Sequence, residues 1–219
     1  KWGRGAKISD DGITLVAGYE DYDGDATDQG ALYVFKYING DWEQQGKIIT
    51  GAIVTSNENS LGYNYSYAMN GDGTKIVGGV FAGDANNSDS GYVQAWEWSQ
   101  KTYTNPALDI SGGVVTMWGG AEENPNNYSM TNINTLSDGT GIYGSNTKLN
   151  ADGTIMVVGE QDYNSNKGRI HAYKYWSGSW HDMGSKVEDS NITYAGNSLG
   201  INDSGLIIGT GSGQSSGAV

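Results

Sequence analysis

"KLNADGTIMVVG", residues 148–159, sets a mixed polar and apolar stretch against a nearly unbroken apolar run, with Asp152-Gly153 between them. Asp-Gly between β-prone runs is a hairpin signal, because glycine accepts the positive φ that tight hairpin turns demand. The run after the turn does not alternate, so it reads as a strand covered on both faces. The same register returns in "KISDDGITLVAG" (7–18), "YAMNGDGTKIVGG" (67–79) and "LGINDSGLIIGTG" (199–211), aligned on Gly12, Gly73, Gly153 and Gly205. An aliphatic residue precedes each turn at Ile8, Met69, Leu149 and Ile201. A second glycine follows each turn at Gly18, Gly79, Gly159 and Gly211.

A second block lies downstream in three copies, "GALYVFKYINGDW" (30–42), "GYVQAWEWSQKTY" (91–103) and "GRIHAYKYWSGSW" (168–180). Its paired aromatics, Phe35 and Tyr37, Trp96 and Trp98, Tyr173 and Tyr175, are two apart and so share one face of a strand. A later aromatic (Trp42, Tyr103, Trp180) opens a fourth strand beyond a short turn. Each unit is therefore expected to hold four antiparallel strands. Turn glycines 61, 80 and 52 residues apart suit propeller blades with loops of variable length. The expected fold is an all-β, β-propeller-like array in a single domain, 1–219. Its units span about 2–52, 61–111, 143–190 and 195–219, the last blade is incomplete, and 112–140 is an insertion or a degenerate unit.

The chain resembles the FG-GAP-like repeats of integrin-α-type β-propellers and of large secreted or surface proteins. The resemblance rests on the pairs Trp2-Gly3, Leu61-Gly62, Tyr143-Gly144 and Ala195-Gly196 and on the "NADGTIMVVG" core. No copy keeps the Ala-Pro of that family after the core glycine. The resemblance implies an extracellular, non-enzymatic structural or adhesive module, a subunit of a surface assembly or filament. Gly217-Ala218-Val219 matches the start of a third strand, so the last unit breaks off half-built. A fragment boundary explains this, and so does self-assembly in which another chain supplies the missing strands.

Twelve basic against 25 acidic residues give a net charge of −13, which repels nucleic acid. No apolar run approaches the roughly 20 residues of a membrane span, and there is no cysteine for a disulfide or a thiolate metal site. No nucleophile elbow, phosphate loop, dinucleotide fingerprint or zinc-protease pair occurs. Other subunits or surface glycans are the expected partners. Exposed Tyr and Trp keep a carbohydrate-binding, lectin-like propeller as the alternative, and the many carboxylates leave a glycoside-active enzyme as a further one.

Between Gly18 and Gly30 stand Asp21, Asp23, Asp25 and Asp28. Four carboxylates with backbone carbonyls could supply the oxygens of a Ca²⁺ site, the one cofactor considered, although Gly24 is misplaced for an EF-hand loop. A solvated turn is the other reading. His171 and His181 are expected to be partly exposed strand residues, without the third ligand that zinc needs. Asn64, Asn86, Asn127, Asn191 and Asn202 open N-x-S/T sequons and are the glycosylation candidates.

Overall fold

The structure is a computed structural model that describes residues 2–25, 27–51, 61–63, 66–81, 90–100, 128–137, 142–188 and 191–211. Its strands are β1 (Trp2–Ile8), β2 (Thr14–Tyr19), β3 (Ala31–Ile38), β4 (Asp41–Gln44), β5 (Ile49–Thr50), β6 (Tyr67–Met69), β7 (Lys75–Val80) and β8 (Tyr92–Gln100). There follow β9 (Tyr128–Leu136), β10 (Tyr143–Leu149), β11 (Ile155–Glu160), β12 (Arg169–Trp176), β13 (Ser179–Asp182), β14 (Ser198–Ile201) and β15 (Ile208–Gly211). They form four antiparallel sheets in chain order: β1-β2-β3-β4 with β5 added to β3, β6-β7-β8-β9, β10-β11-β12-β13, and β14-β15. The protein is all-β, and among the described residues the sheets do not close into a ring.

Each first hairpin is built by one polar device. The side-chain oxygen of Ser9, Asn70, Asn150 or Asn202 accepts the N–H five residues on, from Thr14 (2.9 Å), Lys75 (2.8 Å), Ile155 (2.8 Å) or Ile207 (2.9 Å). In three copies Asp11, Asp72 or Asp152 also accepts the N–H two residues later, at 2.9 Å. The turn glycines Gly12, Gly73, Gly153 and Gly205 have φ of 68–74°, which a residue with a Cβ rarely adopts.

Successive units are tied by their turns. The N–H of Asp10 donates to the carbonyl of Gly71, Gly71 to Ala151, and Ala151 to Asp203, at 2.7, 2.8 and 3.3 Å. Nearer the other end, parallel bridges join Gly30 to Leu61, Gly91 to Tyr143 and Gly168 to Ala195. The backbones come so close there that a Cβ on Gly18, Gly79 or Gly159 would collide with the carbonyl oxygen of Gly62, Gly144 or Gly196. The aliphatic and aromatic residues of facing sheets then fill the joints. Val16, Leu32 and Val34 meet Tyr67, Ile76 and Trp96 across the first. Val77, Val93 and Ala95 meet Tyr143, Met156 and Tyr173 across the second, and Val157 and Ile170 meet Leu199 across the third.

The second sheet departs from the expected order. Its outer strand is β9, inside the 112–140 segment read as an insertion or degenerate unit, and not a strand opening at Tyr103, which lies outside the described residues. Sheets one and three turn from their third to their fourth strand at Asn39-Gly40 and Ser177-Gly178, where all four residues have positive φ. That is the two-residue turn matched to strand twist. The second block has Gln100-Lys101 in this place and no glycine, so β8 runs on to Gln100 and finds its partner later in the chain.

These joints predict unequal glycine sensitivity. Gly79→Ala should lower unfolding stability by roughly 3 kcal/mol, because backbone must move. Gly40→Ala, with φ of 103° but open space around it, should cost about 1 kcal/mol. Urea midpoints of the two variants check the difference.

Candidate functional site

Strands β1, β6, β10 and β14 are the first strand of each sheet, and β10 packs against β6 and β7 on one side and β14 on the other. Lys7, Ala68 and Lys148 occupy the same place in the first three, each paired with the valine of its second strand, Val16, Val77 or Val157. The small Ala68 lies on the strand between the two lysines and is buried. Lys7 Nζ stands 5.5 Å from the ring centre of Tyr67. Lys148 Nζ donates to Asn146 Oδ1 at 2.9 Å and to the Thr147 carbonyl at 3.1 Å. Asn146 is held by its own Nδ2, which donates to the Asn197 carbonyl at 3.0 Å. The Thr147 hydroxyl donates to Ser66 at 2.8 Å.

Burial, and then the charge of Lys7, push the Lys148 amine down to about 8. Burial lowers Lys7 as well. Among the described residues neither lysine forms a salt bridge with a carboxylate. Two ammonium groups close enough to repel, partly stripped of water and lacking a counter-ion, form an arrangement that an anion would stabilise.

A second cluster is closed to solvent. Glu160 Oε2 accepts from Arg169 Nε at 2.5 Å and lies 2.8 Å from His171 Nε2. Tyr173 Oη is 3.4 Å from His171 Nδ1 and 2.7 Å from Tyr143 Oη. The Arg169 guanidinium lies 3.7 Å from the centre of the Tyr163 ring. The Glu160 and His171 side chains have no exposed surface, so the cluster pins β10, β11 and β12 together and is not open to a ligand.

No family model matches this chain, and no curated protein does. Among solved structures it is similar to two proteins named putative 6-phosphogluconolactonase. One is from Bacteroides uniformis (15% identity, 84% of this chain, 39% of that one, TM-score 0.47). The other is from Bacteroides fragilis (15% identity, 84% and 38%, TM-score 0.48). The chain spans about two-fifths of their length. At that identity and TM-score the likeness assigns no activity here. Both neighbours carry an enzyme's name, however, and on that finding the expectation of a non-enzymatic, extracellular structural or adhesive module is corrected. Its filament and FG-GAP-like attributes and the lectin-like alternative are corrected on the same finding.

The residues singled out in the sequence fare differently. Asp21, Asp23, Asp25 and Asp28 are not gathered into a cage: no group of three or more potential metal ligands exists among the described residues. Asp23 Oδ1 instead accepts the Asp28 N–H at 3.0 Å, with Asp28 at φ 51°. Gln29 Oε1 takes the Asp25 N–H at 3.0 Å, and Gln29 Nε2 donates to the Gly51 carbonyl at 3.1 Å. The loop is a hydrogen-bonded bend. His171, expected to be partly exposed, is fully buried and paired with Glu160 on the neighbouring strand, whereas His181 is exposed. Asn64, Asn86 and Asn127 lie outside the described residues. Asn191 is exposed, and the amide of Asn202 donates to Ser204 Oγ at 2.9 Å within its turn. The lysine pair was not singled out, although "KISDDG" and "KLNADG" both begin with it.

Glu160→Gln should destabilise the fold by roughly 3 kcal/mol, because it removes the buried carboxylate that Arg169 and His171 share and leaves Arg169 only the 3.7 Å contact with exposed Glu188. Denaturant unfolding at neutral pH measures this.

Proposed function

We propose that the four sheets are units of a propeller-like array and that its inner strands bind a small anionic ligand between Lys7 and Lys148. Carboxylate or phosphate oxygens are the complementary chemistry. The repeated turn ladder and joints support the array, and the uncompensated lysine pair flanking Ala68 carries the binding reading. Asn146 presents its carbonyl oxygen to Lys148 and so orients the ammonium group.

Because binding an anion favours the charged amine, inorganic phosphate should raise the pKa of Lys148, read by NMR of labelled lysine side chains. Affinity should fall as pH rises through 8, and Lys148→Met should abolish phosphate binding. A Lys148 titration curve indifferent to phosphate would sink the reading.

Stability supplies an independent check. The folded amine at about 8 lies below its ordinary 10.5, so between those values the unfolded chain holds more protons and stability rises with pH. Below 8 the full penalty, about 3 kcal/mol at most, is present. Lys148→Met should therefore be more stable than the parent at pH 7, and the gap should close by pH 10.5 in parallel unfolding curves.

A further inference from the structure

The three sheet-to-sheet joints repeat one geometry with different side chains. At each, the turn glycine of one unit faces the first residue of the second strand in the unit before it. Gly73 faces Thr14, Gly153 faces Lys75, and Gly205 faces Ile155. At the third joint, Ile155 fills the space with carbon. At the second, Lys75 fills it with an ammonium group, which lies 3.3 Å from Glu97 Oε1 and 5.3 Å from the centre of the Tyr175 ring. At the first, Thr14 is too short, and a cavity of about 90 Å³ remains.

Thr14, Asp11, Lys36, Gln45, Asp72 and Trp98 line that cavity. Trp98 takes the place of Tyr175: the Trp98 N–H donates to the Thr74 carbonyl and the Tyr175 N–H to the Thr154 carbonyl, both at 2.8 Å. Lys36 takes the place of Glu97, so the glutamate acceptor of the second joint is missing. Other acceptors are present. Gln45 is buried, and its Oε1 has no hydrogen-bond donor. Asp72 uses Oδ1 for Asn70 and Thr74. Asp11 uses Oδ1 for Ser9 and Ile13. Each carboxylate keeps Oδ2 without a hydrogen bond, and each feels one lysine charge, Lys36 at Asp11 and Lys75 at Asp72.

We propose that this cavity binds a small organic ammonium ion, its charged head standing where the chain's own Lys75 ammonium stands at the second joint. The ligand's N–H groups satisfy Gln45 Oε1 and the free oxygen of Asp72, and the indole face of Trp98 receives the cation. A buried acceptor without a donor is costly, so the site gains by occupancy. The net charge of −13 raises the local concentration of cations around the protein.

Calorimetric titration of the full chain with ethylammonium, and with ethanol as the uncharged comparator, tests the proposal. Ethylammonium is expected to bind and ethanol to give no saturable heat. Thr14→Lys, which supplies a tethered ammonium, is expected to lose ethylammonium binding, while Thr14→Ser retains it. Trp98→Leu is expected to weaken it about tenfold. No saturable heat with ethylammonium, equal binding of ethanol, or full binding to a folded Thr14→Lys protein would overturn the assignment. Should Thr14→Lys fail to fold, unchanged affinity in Trp98→Leu would overturn it equally.

Discussion

The N–H to carbonyl bond between one turn and the next, from Asp10 to Gly71 to Ala151 to Asp203, sets where each unit stands relative to its neighbour. It works only because the glycine contacts beyond it let backbone meet backbone, at Gly18 on Gly62, Gly79 on Gly144 and Gly159 on Gly196. With both ends of a joint fixed by main-chain contacts, the side chains between them share one register in every unit. Packing then follows from position. The second-strand valines are covered on both sides, and the fully buried tyrosines Tyr67, Tyr92, Tyr143 and Tyr173 lie in the joints.

That register also explains how like-charged groups far apart in sequence come together without any local motif. Lys7 and Lys148 are 141 positions apart in sequence, yet they hold equivalent places on first strands separated by one sheet. Ala68, at the same place on the strand between them, is too small to screen one from the other. The protein as a whole is strongly acidic, so a local positive pair there is exceptional within its field. Desolvation outweighs the general negative potential at Lys148, and the neighbouring charge of Lys7 adds to it.

Much of the fold was legible because the turn residues state their own geometry. Asn or Ser, then in three copies Asp two residues on and Gly three on, carries the acceptor, the second acceptor and the positive φ of the hairpin. The order of the second sheet was legible only in part: the missing glycine after Trp98 denies β8 a two-residue turn, but nothing local names Tyr128–Leu136 as its partner. His171 was misread because its environment is cross-strand. The residue that buries it, Glu160, is eleven places away and adjacent only in the sheet. The aspartate loop left a cation site and a solvated turn both open, since carboxylate density says nothing of convergence. Gln29, an unremarked neutral residue, organises that bend through both ends of its amide.

The joints show how a repeat can keep its fold while changing its chemistry. Each joint leaves one gap beside a turn glycine, and a single residue decides what fills it. Isoleucine fills the gap with carbon. Lysine fills it with a charge whose desolvation is offset by Glu97 and by the Tyr175 ring, with the Tyr175 hydroxyl donating to the same glutamate at 3.5 Å. Threonine leaves it open beside an orphaned Gln45 oxygen. None of these choices touches the turn ladder or the glycine contacts, because the facing residue contributes only its backbone to the hairpin bond. Variation there is therefore decoupled from folding in a way that variation at Gly79 is not. The first joint is accordingly where this chain can acquire a ligand without rebuilding its frame.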